Sequence, residues 1–520
     1  MPIVQQSAIN TTALVVPDLY VQIVPPQSLL LNGVPTDIVG VVGTASWGPV
    51  GEPVVIGSMN DYAAAFGPVM ARKYDLGTQI ATAVQQGAAN FRCVRVTDGT
   101  DSAASLEILG AVIFTAAYTG STGNGLIVTL GNGSAANSWR LTITLPGQSP
   151  EIFDNLSGSG AQFWDNLANA VNNGNGVLRG PSQLVVASAQ SVQAVPVSGS
   201  YPFSAGTPGS DGANSVTAAT LIGNDTPPRR GMYALRNQGC AIGLLADADD
   251  PASWSVQMEM GLSESMYMIL TGPAGDTIDN AVIVKGEAGI DSYAAKMMFG
   301  DWIYWNDLTN SVIRLVSPQG FVAGRLANLS PEQSSLNKQV YGAIGTQKSG
   351  QPGGATVTSY ASADLETLLS AGIDVIANPQ PGGAYWGVRG GHNSSSSAAV
   401  NGDNYTRLTN YIAATLQAGM GGYVGQLVNS TLFQNIRATL LSYLNGLLQQ
   451  GILGRTDGSL PFTVVCDVSN NPPSRTALGY VQADVQIRYQ AINEKFIVNV
   501  QGGQTVQVSV QTSSTAPING

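Results

Sequence analysis

The sequence predicts a mixed α+β and α/β protein of several domains, with a β-rich insertion in an α/β core and extended segments at both ends. The chain has 520 residues, more than one ordinary hydrophobic core accommodates. Strands alternate with helices in two separate stretches, which is typical of a sheet covered on both faces. Between them, alternating apolar and polar stretches are separated by Gly, Asn and Ser turns, which indicates antiparallel strands.

The surface is expected to be polar but poor in charge. Charged residues make up 11% of the chain, against about 25% in an average soluble domain. Such a surface suits packing against copies of the same chain, because few like charges then meet, although an extracellular β-rich protein has a similar composition. The formal net charge is −11 and the first basic residue is Arg72, so neither a nucleic-acid footprint nor a basic signal-peptide start is expected. No apolar run reaches the roughly 18–20 residues of a membrane helix.

We predict six segments from these composition changes. They are an N-terminal extended arm at 1–28, the first part of the α/β core at 29–100, an inserted β-rich domain at 101–215, a second α/β stretch at 216–390, two helices with strands at 391–500, and a C-terminal arm at 501–520. The Gly/Ser/Pro-rich stretch 198–213 is predicted to be the linker that leaves the insertion.

The N-terminal arm has the composition of a strand without a partner nearby. Its apolar residues are Leu14, Val16, Leu19, Val21 and Ile23. The prolines at positions 17, 25 and 26 exclude a central strand, because proline cannot donate to a β-ladder. The arm is therefore expected to pair briefly, with a strand that lies elsewhere.

The two α/β stretches contain predicted strands and helices in alternation. The predicted strands are 38–43, 54–56, 91–96, 239–246 and 266–271, and the helices are 58–67, 76–87, 251–263 and 277–286. Ser58 is expected to cap the first of these helices, and Asp247, Asp249 and Asp250 are expected to cap the third.

The stretch 391–403 is predicted to be a flexible loop, with His392 exposed to solvent. Two amphipathic helices follow, the second with capping-box spacing at Thr431 and Gln434 and a stop at Gly451.

The C-terminal end carries the strictest period-two alternation in the chain. Val481, Val485 and Ile487 lie in a predicted strand at 481–489, and a second strand is predicted at 495–500. After Gly502 and Gly503, a last strand is predicted whose apolar face consists of Val506, Val508 and Val510.

No catalytic or cofactor site can be assembled from the sequence. The only histidine is His392, and no Gly-x-Ser-x-Gly elbow accompanies it. Cys93, Cys240 and Cys466 have no metal-ligand spacing, so we expect three buried free thiols. No enzyme activity, cofactor or metal is therefore predicted.

Short motifs at the two ends carry a family resemblance. Residues 17–26 read Pro-Asp-Leu-Tyr-Val-Gln-Ile-Val-Pro-Pro, and 40–54 read Gly-Val-Val-Gly-Thr-Ala-Ser-Trp-Gly-Pro-Val-Gly-Glu-Pro-Val. Near the other end, 447–454 read Leu-Leu-Gln-Gln-Gly-Ile-Leu-Gly, and 462–473 begin Phe-Thr-Val-Val-Cys-Asp and end Asn-Pro-Pro. In this order they resemble the tail sheath proteins of contractile phage tails and related injection machines. The stretch 101–215 has no such match.

This resemblance implies a structural polymer subunit. Family sheaths stack as hexameric rings in a helical tube around an inner tail tube, and they contract to drive that tube through the host envelope for genome ejection. Their arms complete a small β-sheet on neighbouring subunits, which here would use Val481, Val485 and Ile487 as the receiving strand. The implied partners are further copies, the inner tube, the baseplate and the tail terminator. The implied location is the virion tail, assembled in the host cytoplasm.

Two alternatives remain open from the sequence. The closer one is the sheath of a bacterial tailocin or other contractile injection device. The more distant one is a secreted β-rich adhesin, which would leave the α/β alternation at 216–390 unexplained.

Overall fold

The computed structural model of the chain describes residues 30–176, 179–351, 358–498 and 500. The chain divides into two units, Met1–Gln490 and Ala491–Gly520. Strands and helices are numbered below in chain order, and all of them lie in the first unit.

A seven-stranded sheet forms the centre of the first unit. In spatial order its strands are β17 (Ile373–Asp374), β13 (Ala295–Met298), β12 (Tyr267–Thr271), β11 (Ile242–Leu245), β1 (Val39–Gly43), β3 (Phe91–Arg95) and β2 (Pro53–Ile56). All neighbours are parallel except β2 and β3. The middle strands are buried along their whole length, which is why their sequences are continuous apolar runs.

Helices cover both faces of this sheet, as the alternation predicts. One face packs against α1 (Met59–Phe66), α2 (Leu76–Gln85) and α7 (Gln319–Ala327). The other packs against α4 (Ala218–Ile222), α5 (Trp254–Glu264), α6 (Ile278–Glu287) and α8 (Ser362–Ser370). Ser58 caps α1 as predicted, because its hydroxyl accepts the amide of Asp61 at 3.2 Å. Of the aspartates at 247–250, Asp250 caps the turn that leads into α5.

Antiparallel strands between residues 105 and 202 surround a core of their own. One sheet contains β10 (Gly199–Pro202), β6 (Ile127–Asn132), β7 (Trp139–Thr144) and β8 (Glu151–Leu156), and the other contains β4 (Ser105–Ile108), β5 (Val112–Ala116) and β9 (Val185–Ala189). Helix α3 (Ala161–Asn173) packs against β8 and β9. A mixed α/β architecture with several sheets is thereby confirmed.

The prediction of a linker at 198–213 is wrong. Strand β10 lies inside this stretch and pairs with β6, and Phe203 is fully buried. Asp211 accepts a hydrogen bond from Arg72 at 2.5 Å. Glycine and proline are abundant in linkers but equally allow an edge strand followed by tight turns, so composition alone could not distinguish the two.

The remaining elements follow in chain order. A three-stranded sheet has the order β15 (Val312–Val316), β14 (Ile303–Asp307), β16 (Ala343–Thr346), and β18 (Ile376–Ala377) pairs with β19 (Gly387–Val388). The C-terminal part of this unit contains α9 (Asp403–Gly419), α10 (Ser430–Gln449), β20 (Phe462–Val465), α11 (Pro473–Thr476) and β21 (Asp484–Ile487).

Two local predictions in this region need correction. Helix α10 begins one residue before Thr431, because Asn429 is its cap and accepts the amide of Leu432 at 2.8 Å. The stretch 391–403 is a solvated loop only in part: residues 396–399 are exposed and His392 is half-buried, but Asn393 and Ser394 are buried and Ser394 accepts the amide of Met297 at 2.9 Å. Its serines and asparagines satisfy each other and the adjacent backbone, so the polar composition does not indicate exposure.

Candidate assembly surface

The strands β20 and β21 form a two-stranded antiparallel ribbon, called here the assembly ribbon. Phe462 and Val464 of β20 are buried in a core that α9 and α10 supply. Val485 and Ile487 of β21 are partly buried against the same core. One face of the ribbon is therefore fixed to the helices, which holds its strands in place without a third strand.

The backbone geometry leaves one edge of β21 open. The amide of Arg488 donates to the carbonyl of Pro461 at 2.7 Å, and Ile487 lies opposite Phe462. Alternate residues of a strand direct their N–H and C=O groups to opposite sides. The peptide groups of Val485 and Ile487 therefore point away from β20. Among the described residues, β21 has no second neighbour.

The predicted site residues divide into two groups. Val485 and Ile487 lie on β21, and Val481 precedes it and packs against the same core. The predicted arm residues Leu14, Val16, Leu19, Val21, Ile23, Val506, Val508 and Val510 lie outside the described residues.

The strand predicted at 495–500 is wrong for the isolated chain, since 495–498 and 500 form no strand. The strand predicted at 481–489 shortens to β21. An alternating sequence becomes a strand only where a partner strand supplies its hydrogen bonds.

Residues 30–38, called here the N-terminal strap, follow the predicted N-terminal arm and lie along α9. Val34 donates its amide to the hydroxyl of Thr415 at 3.2 Å. Gly33 lies against Tyr411 so closely that an added Cβ would lie 2.0 Å from the tyrosine oxygen. Leu31 is buried in the core that also holds the assembly ribbon. The root of this arm is therefore attached along α9.

The last residues of the first unit contact the start of the same helix. Asn404 donates to the carbonyl of Gln490 at 3.1 Å. Tyr489 contacts Thr409 at 3.2 Å between the hydroxyl oxygens, and its ring meets Tyr405 edge to face, with 5.6 Å between centroids. Gln490, the last residue of the first unit, therefore lies beside α9.

A buried charge cluster attaches α9 to the seven-stranded sheet. The ammonium of Lys296, on β13, lies 2.6 Å from Asp374 and 3.0 Å from Asp403, in the first turn of α9. It also donates to the carbonyl of His392 at 2.8 Å, and Tyr267 donates to Asp403 at 2.6 Å. Lys296 and Asp403 have no exposed side-chain surface. The only sequence signal for this cluster is a single lysine within a buried-type strand.

Lys296 and Asp403 keep their charges despite burial. Burial by itself raises the pKa of Asp403, but Lys296 and the hydroxyl of Ser335 hold that pKa below its ordinary value. Burial lowers the pKa of Lys296, yet the two aspartates outweigh this effect and raise it. Asp403 also lies at the N-terminus of a helix, where the backbone dipole favours negative charge. The result is a charged tie between helix and sheet.

A second polar cluster fills the place where doubly wound sheets bind ligands. Such sheets bind at the carboxyl ends of the strands where the strand order reverses, here between β1 and β11. Asp247 accepts from Gln79 at 2.8 Å, and its amide donates to Gln319 at 3.0 Å. All three side chains are at most 3% exposed. Protein side chains therefore occupy this crevice, and no group of three or more potential metal ligands occurs among the described residues.

Asp75, the cap of α2, predicts a pH dependence of stability. One of its carboxylate oxygens accepts from Thr78, while the other is buried without a hydrogen-bond partner in the described part of the chain. Burial raises the pKa of Asp75 from 3.8 to about 7. The folded state then binds this proton more tightly than the unfolded chain, so its contribution to stability is present below pH 4 and is lost as the pH rises towards 7.

Asp75→Asn keeps the cap and removes this titration. We expect the free energy of unfolding of the wild type to fall by up to about 4 kcal/mol more than that of the variant between pH 4 and 8. Urea unfolding followed by circular dichroism at both pH values measures the difference. Parallel pH profiles for the two proteins would contradict this assignment.

Several solved structures are similar to this chain. No protein-family model and no curated protein matches the chain. A sheath tail protein from Desulfitobacterium hafniense is 16% identical, covers 86% of this chain and 93% of its own, and has a TM-score of 0.58. The sheath tail protein Lin1278 from Listeria innocua is 16% identical, with coverages of 84% and 89% and a TM-score of 0.57.

A subunit of a larger sheath assembly is similar to this chain over more of its length. The sheath complex of an extracellular contractile injection system, PVC, in its contracted state is 12% identical. It covers 95% of this chain and 99% of its own, with a TM-score of 0.54. No helix within the described ranges is long and apolar enough to cross a membrane. From these structural matches, the chain has the fold of the tail sheath proteins of contractile injection systems.

Proposed function

We propose that this protein is the structural subunit of a contractile tail sheath and has no enzymatic role. The observation that carries the proposal is the open edge of β21, on a chain with the sheath fold over most of its length. Six copies would form a ring, and stacked rings would form a helical tube around an inner tube. An arm of one copy would pair with Val485 and Ile487 of another.

Strand addition is a physically sufficient tie for such a polymer. Main-chain hydrogen bonds supply the attachment, and the alternating side chains of the arm set its register. An arm of about 20 residues at roughly 3.3 Å each spans up to about 65 Å, enough to reach another subunit. Contacts between two different surfaces of one chain generate open helical polymers.

Contraction would follow from the lattice without a nucleotide. Subunits would move as nearly rigid bodies from a metastable extended lattice to one of lower energy, and the arms would keep them connected. The polar cluster around Asp247 supports this, because it fills the crevice that a nucleotide would need. The free energy that drives contraction would thus be stored in the lattice during assembly.

The proposed partners are further copies, the inner tube, the baseplate and the tail terminator. We place the protein in the tail of a phage particle, made in the host cytoplasm, where it would serve genome ejection. The structural matches also include the contracted helical sheath of the anti-feeding prophage. A bacterial tailocin or other injection device is therefore the second candidate.

Val485→Pro tests the proposed edge. The amide of Val485 points away from β20, so proline removes an outward donor and leaves the β20–β21 ladder complete. We expect the variant to unfold within a few degrees of the wild-type temperature. It should form at least tenfold fewer sedimentable tubes, because each contact between subunits loses about one hydrogen bond and the proline ring blocks the approach of the arm.

Val485→Thr is the matched control, since it keeps the amide and a β-branched side chain. It should assemble like the wild type. Normal tubes formed by a folded Val485→Pro chain would exclude this edge as the docking strand.

A further inference from the structure

Helix α9 contacts three parts of the molecule that lie far apart in the sequence. Its first turn is held to the seven-stranded sheet by Asp403 and Lys296. The adjacent Asn404 holds Gln490, the last residue before the C-terminal unit. Near its other end, Thr415 holds Val34 of the N-terminal strap.

We infer that α9 is the shared anchor at which the roots of both arms are held against the α/β body of the subunit. This inference rests on the proposed sheath function. A pull on the N-terminal arm reaches α9 at Thr415, and a pull on the C-terminal arm reaches it at Asn404. The load on the C-terminal arm then passes along α9 to Lys296, which is buried in the sheet, and the load on the N-terminal arm is shared between α9 and β1, which begins at Val39. Asn404 and Thr415 are positioning residues in this arrangement.

The two helix side chains that make the anchoring bonds are buried, while Gln490 is exposed and Val34 is half-buried. Asn404 is 7% exposed and Thr415 is 1% exposed. Arg407, on the turn between them, donates to the carbonyls of Ser330 and Leu329 at 2.9 and 2.8 Å and so adds a second attachment to the body. Gly33 of the strap also packs closely against Tyr411 of α9.

A double variant, Asn404→Ala with Thr415→Val, removes one hydrogen bond between α9 and each arm root and changes no residue of the assembly ribbon. Tubes of the full chain are incubated in urea below the unfolding midpoint of the unassembled chain, and the released subunits are measured by sedimentation. We expect release to rise about fivefold for each hydrogen bond removed. The unfolding midpoint of the unassembled variant should fall no more than that of the control.

The control is Asn124→Ala with Thr82→Val, which also removes side-chain hydrogen bonds to the backbone but lies away from α9. A double variant with Thr415→Ser in place of Thr415→Val should release fewer subunits, because serine keeps the hydroxyl that accepts the amide of Val34. A folded double variant that forms no tubes supports the inference in the same way. Release equal to that of the control would overturn the inference, and a wild type that forms no tubes would contradict the sheath function and the inference together.

Discussion

A chain that lacks residues 503–520 is expected to fold and to form no tubes. The division after Gln490 leaves every described helix and strand in the unit that is kept. The deletion removes Val506, Val508 and Val510, the alternating apolar face that we propose to pair with a neighbouring subunit. Polymerisation should fall to the background of negative-stain micrographs, while the thermal unfolding temperature changes by less than about 2 °C.

Deletion of residues 1–20 should have the same effect, since the N-terminal arm supplies the other proposed tie. Substituting serine for Val506, Val508 and Val510 should reproduce the loss in the full-length chain. Serine at Thr505 and Gln507, on the opposite face of the same predicted strand, is the control and should be tolerated. Normal tubes from either truncation would show that the arm concerned carries no essential contact.

Lys296→Met is expected to lower the free energy of unfolding by about 3–5 kcal/mol. Methionine fills a similar volume, but Asp374 and Asp403 then face each other in the protein interior without a cation. An uncompensated buried charge costs more than the ion pair itself contributes. Urea unfolding at pH 7 measures the loss, and α9 should exchange its amide hydrogens faster than α2 in the variant.

Lys73→Met provides the comparison for this prediction. Lys73 pairs with Asp249 at 2.8 Å, but 46% of its side chain is exposed, so its loss should cost about 1 kcal/mol or less. Equal effects of the two substitutions would mean that the buried cluster does not hold α9 to the sheet.

Local sequence patterns predicted the α/β core well, for a physical reason. Strands β1, β11 and β12 are buried on both faces, so each is a short apolar run that period and length identify. The hydroxyl of Ser58 and the glycine at 451 act within one helical turn of the boundary that they define. Such features depend on neighbours in sequence, and one sequence is enough to find them.

The features that sequence reasoning missed depend on distant residues or on other copies. Lys296 meets Asp374 and Asp403 across 78 and 107 positions of sequence, and no spacing rule connects them. The order in 391–403 comes from bonds such as that of Ser394 to Met297. The expected strand at 495–500 has no partner among the described residues, which agrees with a segment whose pairing would lie on another subunit.

Electron microscopy of the purified full-length chain tests the sheath function most directly. At micromolar concentration in negative stain, we expect striated hollow tubes or six-fold rings, and averaged images should show a lumen wide enough for an inner tube. A chain that stays monomeric over a hundredfold range of concentration, while circular dichroism shows it folded, would contradict the proposal that it is the subunit of a sheath.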